Sequence, residues 1–330
     1  MKWKKKKNRI ELTLVILVVT FFFIVGLVNF GFAGIGQNVT VTTILQVGNV
    51  FPEILNVTVN DNANSINLVA NDSVLVSCIA IVRDWNGEDD IVKVNATFFD
   101  KEYSFYDDLD NKNYHYSNNS CEIIKDFGNY LGYNDDEYLV LANCSFYVEY
   151  YANASSWQCY ATAEDSYGWT DNENYNISIN PLLSLGLPDI INYGTVNATY
   201  VSEEVIVNVT NVGNVMVNLT LEGYAQTIGD GYAMNCSLPP SGTGKIPIYY
   251  EKYNLTESNP GTISSLSEFE EKYINLTSSQ VVKKFELDKR RNETYNEAVK
   301  DSFWRIYIPV GVAGNCTGNI IFGATVAPEM

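Results

Sequence analysis

The sequence predicts an all-β protein made of two tandem antiparallel β-sandwich domains that follow an N-terminal hydrophobic helix. Its aromatic content, with 23 Tyr and 15 Phe in 330 residues, favours strands over helices. Short alternating apolar segments, separated by turn residues, continue through most of the chain. A stretch that contains Pro181 and Pro188 divides them into two series. We therefore expect domains at 37–180 and 191–330, joined by a linker at 181–190.

The first 36 residues form an export signal. Lys and Arg occupy six of the first eleven positions, and the uncharged run at 12–28 follows directly. This run is longer than most signal-peptide cores and shorter than a full membrane span, so cleavage after Ala33 and retention as a membrane anchor both stay open. In either case the basic flank stays in the cytoplasm, and the rest is delivered to the cell surface or the exterior.

The exported part is strongly acidic. The chain has a net charge of −18, to which the first eleven residues contribute +5, so the remainder carries −23. Such a body repels the phosphates of nucleic acids and of anionic lipids. The charge therefore excludes nucleic acid as a partner.

The strands expected in the first domain alternate apolar and polar residues, with an Asn-Gly turn at 86–87. They lie at 39–47, 54–59, 73–82, 90–99, 137–150 and 156–163. The first segment, directly after the leader, is expected to be the first strand of its own domain. Addition of that segment to the sheet of a neighbouring chain is the alternative.

The second domain shows a further series of strands and one helical segment. Strands are expected at 195–201, 204–210, 214–224, 245–250, 280–287, 303–310 and 315–326. Residues 211–214 predict a turn between antiparallel strands. Near 260–280 we expect a short helical or irregular insertion, because a capping-type Ser precedes acidic residues and Leu266, Phe269 and Tyr273 have helical spacing.

The sequence contains sixteen Asn-x-Ser/Thr acceptor sites for N-glycosylation, all after the hydrophobic run. With 38 Asn and 43 Ser plus Thr in the chain, chance would produce about five. The acceptors are Asn38, Asn56, Asn71, Asn95, Asn118, Asn143, Asn153, Asn176, Asn197, Asn208, Asn218, Asn235, Asn254, Asn275, Asn292 and Asn315. This excess predicts a glycoprotein.

On a strand, the residue between the Asn and the Ser or Thr points to the opposite face from both. In several sites this middle residue is a large aliphatic, such as Val209 or Leu219, and in three it is a cysteine. We therefore expect the middle residues to face the core and the acceptors to face solvent.

Six cysteines, all in the exported part, predict three disulfides. None of them forms a CxxC pair or a metal-ligand spacing. The division at 181–190 leaves four cysteines in the first domain and two in the second: Cys78, Cys121, Cys144 and Cys159, then Cys236 and Cys316.

The first domain resembles an immunoglobulin-type sandwich. The likeness rests on the strand around Cys78, on Trp85, and on the strand around Cys159, where Trp157 stands at the usual position of a corner Tyr. The resemblance implies the family's bridge between the two sheets. The resulting pairs are Cys78 with Cys159, Cys121 with Cys144 by elimination, and Cys236 with Cys316 within the second domain.

The second domain is similar to Ig-like modules of secreted archaeal and bacterial proteins in its turn at 211–214. Residues 303–327 are similar to the last strands of archaeal surface β-sandwich proteins and, more distantly, of camelysin/TasA-type fibre subunits. That likeness rests on Trp304, Ile306, Pro309, Gly311, Gly314, Thr317, Gly318, Ile320 and Phe322. It implies a surface-layer, filament or adhesion component of an archaeon, with copies of itself or other surface proteins as partners.

No motif for catalysis stands out. The single histidine, His115, lies in a Tyr-rich stretch that we expect to be a solvated loop, which disfavours a Ser-His-Asp, Cys-His or zinc site. No GxSxG, HExxH, GxGxxG or P-loop pattern occurs. A secreted hydrolase that uses two carboxylates is the least favoured class, since no pair is distinguished. We expect no catalytic residue and no cofactor other than a calcium ion.

The candidate calcium site is the loop that contains Asp84, Asn86, Glu88 and Asp90. These residues alternate oxygen ligands around Gly87, and Ca²⁺ takes six to eight oxygens. The loop lacks the full twelve-residue pattern, so an Asn-Gly hairpin with solvated acids is the alternative.

These observations predict a non-enzymatic cell-surface glycoprotein that forms part of the envelope or of an assembled surface layer or filament. An adhesion or glycan-binding surface module is the alternative. The tyrosines between 103 and 116 offer rings on which a glycan can stack, although half-buried positions in the sheets are the preferred interpretation of the many tyrosines.

Overall fold

A computed structural model describes residues 40–237, 243–291 and 298–328. Contacts divide the chain into an N-terminal unit that ends at Gly48 and a compact unit that begins at Asn49. The all-β class is confirmed, since strands dominate the compact unit. The hydrophobic run at 12–28 and the acceptors Asn38 and Asn292 lie outside the described residues. No helix within the described ranges is long and apolar enough to span a membrane.

Eleven strands form the first half of the compact unit. They are β1 (Glu53–Val59), β2 (Ser65–Ile66), β3 (Ser73–Arg83), β4 (Ile91–Asp100), β5 (His115–Asn118), β6 (Glu122–Ile124), β7 (Asn129–Tyr130), β8 (Tyr133–Asn134), β9 (Leu139–Glu149), β10 (Ser156–Asp165) and β11 (Thr170–Ile179). One sheet has the order β1-β3-β9-β6 and the other β2-β11-β10-β4-β5, while β7 and β8 form a small hairpin. The first order matches strands A, B, E and D of an immunoglobulin sandwich, and β11, β10 and β4 match strands G, F and C.

The two sheets enclose a core that the Cys78–Cys159 disulfide crosses, from β3 to β10, with a Cα–Cα distance of 6.3 Å. The other two disulfides join Cys121 to Cys144 and Cys236 to Cys316, at Cα–Cα distances of 4.5 Å and 3.9 Å. These are the pairs that the resemblance and the division of the chain implied. Such bonds persist in oxidising compartments, which indicates an extracellular or periplasmic protein.

Trp157 is the buried tryptophan of this core, whereas Trp85 is more than half exposed on the turn after β3. The resemblance was therefore wrong about Trp85. Trp157 stacks on Phe98 with ring centroids 4.8 Å apart, and its Nε1 donates to the backbone oxygen of Asn153 at 2.9 Å. A corner tyrosine makes the same backward hydrogen bond two residues before the second bridge cysteine. Here tryptophan fills that position and also supplies the core ring.

Within its described residues, the second half of the compact unit contains eleven further strands and one α-helix. They are β12 (Leu185–Gly186), β13 (Val205–Asn211), β14 (Val217–Tyr224), β15 (Tyr232–Ser237), β16 (Thr243–Pro247), β17 (Glu251–Asn254), α1 (Leu266–Lys272), β18 (Ile274–Asn275), β19 (Val281–Leu287), β20 (Ala298–Ile306), β21 (Asn315–Thr317) and β22 (Asn319–Val326). The sheet β12-β13-β20-β17-β18 packs against β19-β14-β22 through a second apolar core, and β16-β15-β21 forms a third sheet.

Two expected strands are absent. Residues 40–47 have no strand and are exposed, and residues 195–200 form none either, with only an isolated bridge at Val201. Both segments have β-branched residues in alternation. The second, with the adjoining Ser202, meets residues 306–308 in three backbone hydrogen bonds at 2.7 to 3.1 Å, which give the isolated bridge between Val201 and Tyr307 rather than a strand. The expected strand at 315–326 is interrupted at Gly318, where a Cβ would lie 1.8 Å from the oxygen of Ala233.

The expected turn at 211–214 holds the two halves together. Asn214 is buried, and its Nδ2 donates to the oxygens of Ala152 at 2.9 Å and of Asn180 at 3.2 Å. Its Oδ1 accepts from the N–H of Leu182 at 2.7 Å. Gly213 is required beside it, because a Cβ there would lie 2.1 Å from the oxygen of Leu182. The segment at 181–190, which we expected to be a linker, is thus hydrogen-bonded to the second half at Leu182 and Ser184, and Leu182 also packs against the first core.

The insertion near 260–280 contains α1 and is held by a buried arginine. Ser265 caps α1, its side chain accepting from the N–H of Glu268 at 3.2 Å. Arg305 of β20 is buried and donates to the oxygens of Ser202, Asn259 and Gly261 at 2.6 to 2.9 Å. A buried guanidinium must have its donors satisfied, and here backbone carbonyls of the insertion do so.

Asn214→Ala should destabilise the compact unit by about 2 to 4 kcal/mol, because it leaves two buried oxygens and one N–H without their partner. Urea denaturation followed by tryptophan fluorescence measures this. Asn172→Ala, at an exposed position of β11, is the matched control and should change stability by less than about 0.5 kcal/mol. Equal stability of the two variants would contradict the role assigned to the turn.

Candidate functional site

The glycan acceptors lie on the outer surface of the sheets, as alternation predicts. The middle residues of the strand sites are buried in the core, and this prediction is confirmed for Val57, Cys144, Ile177, Val209, Leu219, Cys236, Leu255 and Leu276. Cys316 is half-buried, and Val39 lies outside the described residues. Of the fourteen acceptor asparagines within the described ranges, thirteen are at least partly exposed.

Asn153 is the exception among the acceptors. It is buried, its Nδ2 donates to Asp100 Oδ2 at 2.9 Å, and its Oδ1 accepts from Lys289 Nζ at 2.6 Å. A glycan attached to Nδ2 would break the first of these bonds. In this site the triplet lies in a turn between β9 and β10, so strand alternation does not place its Asn outside.

A cluster of three carboxylates lies at one end of the first sandwich. Asp84 follows β3, Asp90 precedes β4, and Asp165 ends β10. One oxygen from each lies within 4.8 Å of the others. Asp84 and Asp165 are almost completely buried, whereas Asp90 is partly exposed. None of the three forms an ion pair with a described Lys or Arg.

Backbone groups orient the two buried carboxylates. Asp84 Oδ1 accepts from the N–H of Asn86 at 2.8 Å, and Asp84 Oδ2 is buried without a hydrogen-bond partner. Asp165 Oδ1 accepts from the N–H groups of Tyr167 at 2.9 Å and Trp169 at 2.8 Å. Asp165 Oδ2 accepts from Asn49 Nδ2 at 2.6 Å.

Two of the four residues of the candidate calcium loop lie apart from the carboxylate cluster. Asn86 Oδ1 accepts from the N–H of Val50 at 2.8 Å, and Glu88 starts a 3₁₀ turn outside the cluster. The other two, Asp84 and Asp90, lie beside Asp165, which sequence spacing within one loop had no means to reveal. A signal was present: Asp165 lies six residues after Cys159, as Asp84 lies six residues after Cys78.

Burial raises the pKa of Asp84 above its ordinary value, and the neighbouring charges of Asp90 and Asp165 raise it further. The N–H of Asn86 acts in the opposite direction, because it stabilises the ionised form. A positive charge beside Asp84 would stabilise its ionised form, which opposes the effects of burial and of the neighbouring negative charges on its pKa.

His115 is not in a solvated loop. It lies in β5, it is 1% exposed, and its Nδ1 is 3.2 Å from Asp110 Oδ1. Its ring stacks beside Phe99 at 6.0 Å. The neighbouring loop, by contrast, carries the exposed aromatic side chains of Tyr103, Phe105 and Tyr106.

A further perturbed carboxyl, that of Glu251, lies at the start of β17. It is buried beside a cavity of about 300 Å³, and its Oε1 accepts from the hydroxyl of Tyr193 at 2.9 Å. Desolvation raises its pKa to about 7, and the hydrogen bond from Tyr193 only partly offsets this. A general acid could have such a pKa, but hydrolysis at two carboxylates needs a second one at a fixed separation, and Glu251 has none among its hydrogen-bond partners.

Because the pKa of Glu251 is higher in the folded than in the unfolded chain, the folded state binds its proton more tightly. The contribution of Glu251 to the free energy of unfolding is therefore most favourable below about pH 4.5. It decreases by up to about 3 kcal/mol as the pH rises towards 7. Glu251→Gln should remove this contribution to the dependence of stability on pH, and the variant should be more stable than wild type at pH 8.

Thermal unfolding of wild type and Glu251→Gln between pH 5 and 8 measures the difference, to which all other groups contribute equally. Glu257→Gln, at an exposed position, should keep the slope of wild type. Parallel curves for wild type and Glu251→Gln would show that burial does not perturb this carboxyl as described.

No protein-family profile matches the chain, and no curated protein matches it. Among solved structures, one described as "Chaperone-tip adhesin complex is vital for synergistic activation of CFA/I fimbriae biogenesis" is similar over 84% of this chain and 82% of that chain. The two are 10% identical, with a TM-score of 0.30. At this TM-score we base no conclusion on the similarity.

Proposed function

We propose that this chain is a non-enzymatic cell-surface glycoprotein that serves as a structural component of the envelope or of an assembled surface layer or filament. One observation carries the proposal: the same alternation that buries the middle residue of most strand sites turns the acceptor asparagine towards solvent. One alternating sequence pattern therefore supplies both the core residues and the acceptor asparagines of the outer surface.

Three further features support an exterior structural role. All six cysteines form disulfides, with no free thiol. The hydrophobic run at 12–28 with its basic flank provides export or anchoring. The resemblance of residues 303–327 to fibre-subunit strands favours assembly with other copies or with other surface proteins.

Mass spectrometry of the native exported protein, without reduction, tests the proposal. We expect glycans at exposed strand acceptors such as Asn176 and Asn208, three disulfide pairs, and no glycan at Asn153. Asn176 is the matched comparison for Asn153, since both precede an apolar residue and a Ser. Bare acceptors throughout, or free cysteines, would refute the proposed function.

An adhesion or glycan-binding role is the second candidate, and the loop after β4 favours it. Tyr103, Phe105 and Tyr106 are between 51% and 71% exposed, and Tyr106 stacks on Tyr160 at 4.6 Å. Such rings offer apolar faces to the C–H surfaces of sugars. Saturable binding to a glycan array that is lost in Phe105→Ala with Tyr106→Ala would favour this role over a purely structural one.

A further inference from the structure

The carboxylate cluster of Asp84, Asp90 and Asp165 contains a buried oxygen that has no partner. Asp84 is 0% exposed, one of its oxygens accepts from the N–H of Asn86, and the other has no hydrogen-bond partner among the described residues. An ionised carboxylate without compensation is strongly disfavoured inside a protein. The geometry thus calls for a positive charge that the described side chains do not supply.

The position of the cluster follows from strand alternation. Asp84 and Asp165 each lie six residues after a cysteine of the Cys78–Cys159 disulfide. Because six is an even number, both side chains point to the face of the strand that carries the cysteine, towards the space between the sheets. Six residues correspond to about 20 Å of strand, so the carboxylates form a second contact between the sheets at the end of the sandwich.

The available ligands are oxygens only. Carboxylate oxygens come from the three aspartates, Asp90 Oδ2 is buried without a partner, and so is Asn49 Oδ1 beside Asp165. Every cysteine is in a disulfide, and the single histidine lies in β5. Hard oxygen donors from flexible turns suit Ca²⁺, whereas Zn²⁺ prefers nitrogen and sulfur and Mg²⁺ retains most of its water.

The same residues hold the chain where it enters the sandwich. Asn49 donates to Asp165, and the N–H of Val50 donates to Asn86 Oδ1. Phe51 stacks on Trp169 with centroids 4.2 Å apart, and Trp169 donates its own N–H to Asp165. A change at the cluster is therefore transmitted directly to residues 49–51.

We propose that Asp84, Asp90 and Asp165 bind a calcium ion that ties the two sheets together and fixes residues 49–51 on the sandwich. The ion neutralises three close negative charges and bridges the ends of β3 and β10 with the start of β4. Extracellular modules with few charged ligands bind Ca²⁺ with dissociation constants of about 10⁻⁴ to 10⁻³ M, which suits an exterior protein.

Calorimetric titration and thermal unfolding of the purified exported chain test this proposal, with CaCl₂, MgCl₂ or chelator alone. We expect Ca²⁺ to bind one site and, at about 10 mM, to raise the unfolding midpoint by about 3 to 10 °C. In Asp84→Asn the side chain keeps its shape and its bond to Asn86, and calcium binding should weaken at least about tenfold.

Addition of a chelator should reverse the order of thermal stability of wild type and Asp84→Asn. Without calcium, Asp84→Asn should unfold at a higher temperature than wild type, because one of three close like charges is gone. With calcium, it should unfold at a lower one. Asp89→Asn is the matched control: it removes the same charge one position from Asp90, from a side chain that is 92% exposed and pairs with Lys125. It should bind Ca²⁺ like wild type.

Hydrogen exchange gives an independent measurement of the effect on residues 49–51. Their amides should exchange more slowly with Ca²⁺ in wild type but not in Asp84→Asn. The proposal is overturned if wild type binds no Ca²⁺, if Mg²⁺ binds equally well, or if Asp84→Asn changes stability by the same amount with and without calcium. None of these results would touch the glycoprotein proposal, which depends on other residues.

Discussion

The disulfide between Cys78 of β3 and Cys159 of β10, which crosses the first core from one sheet to the other, is the constraint on which the rest of the sandwich depends. Once these two residues face each other, the period of two along each strand decides which side chains lie between the sheets. Trp157 comes two residues earlier on β10 and enters the core, where its indole N–H replaces the corner hydrogen bond of a tyrosine. The side chains that alternate with these core residues along the strand point outward, and on other strands acceptor asparagines occupy such outward positions.

The second constraint is the turn at 211–214, which converts two β-sandwich cores into one compact unit. Asn211 and Asn214 are both buried, and their amides satisfy backbone groups that would otherwise have no partner. Only a short side chain with both a donor and an acceptor can do this in so small a space. The turn therefore has two functions: it carries the chain from β13 in one sheet to β14 in the other, and it binds the segment at 181–190.

Three ionisable side chains are buried in the second half, and the loss of hydration is compensated by different partners in each. Arg305 finds backbone oxygens, Lys252 finds Glu270 and Asn275, and Glu251 has only a tyrosine hydroxyl. The donors of the first two are satisfied by these oxygens. Glu251 instead has a pKa near neutrality, since a single neutral donor does not compensate for desolvation.

The amino-acid sequence by itself determined the strand class, the inward direction of the residues between acceptor Asn and Ser or Thr, and an exterior, disulfide-bonded setting. Each of these follows from local periodicity or from counts of residues, which need no knowledge of distant contacts. Only the tertiary structure decided that 40–47 stays unpaired, that the polar segment Thr170–Ile179 is a strand, and that Asp165 joins Asp84 and Asp90. These outcomes depend on which segments meet across the sandwich, where Asp84 and Asp165 come together although they are 81 positions apart in the chain.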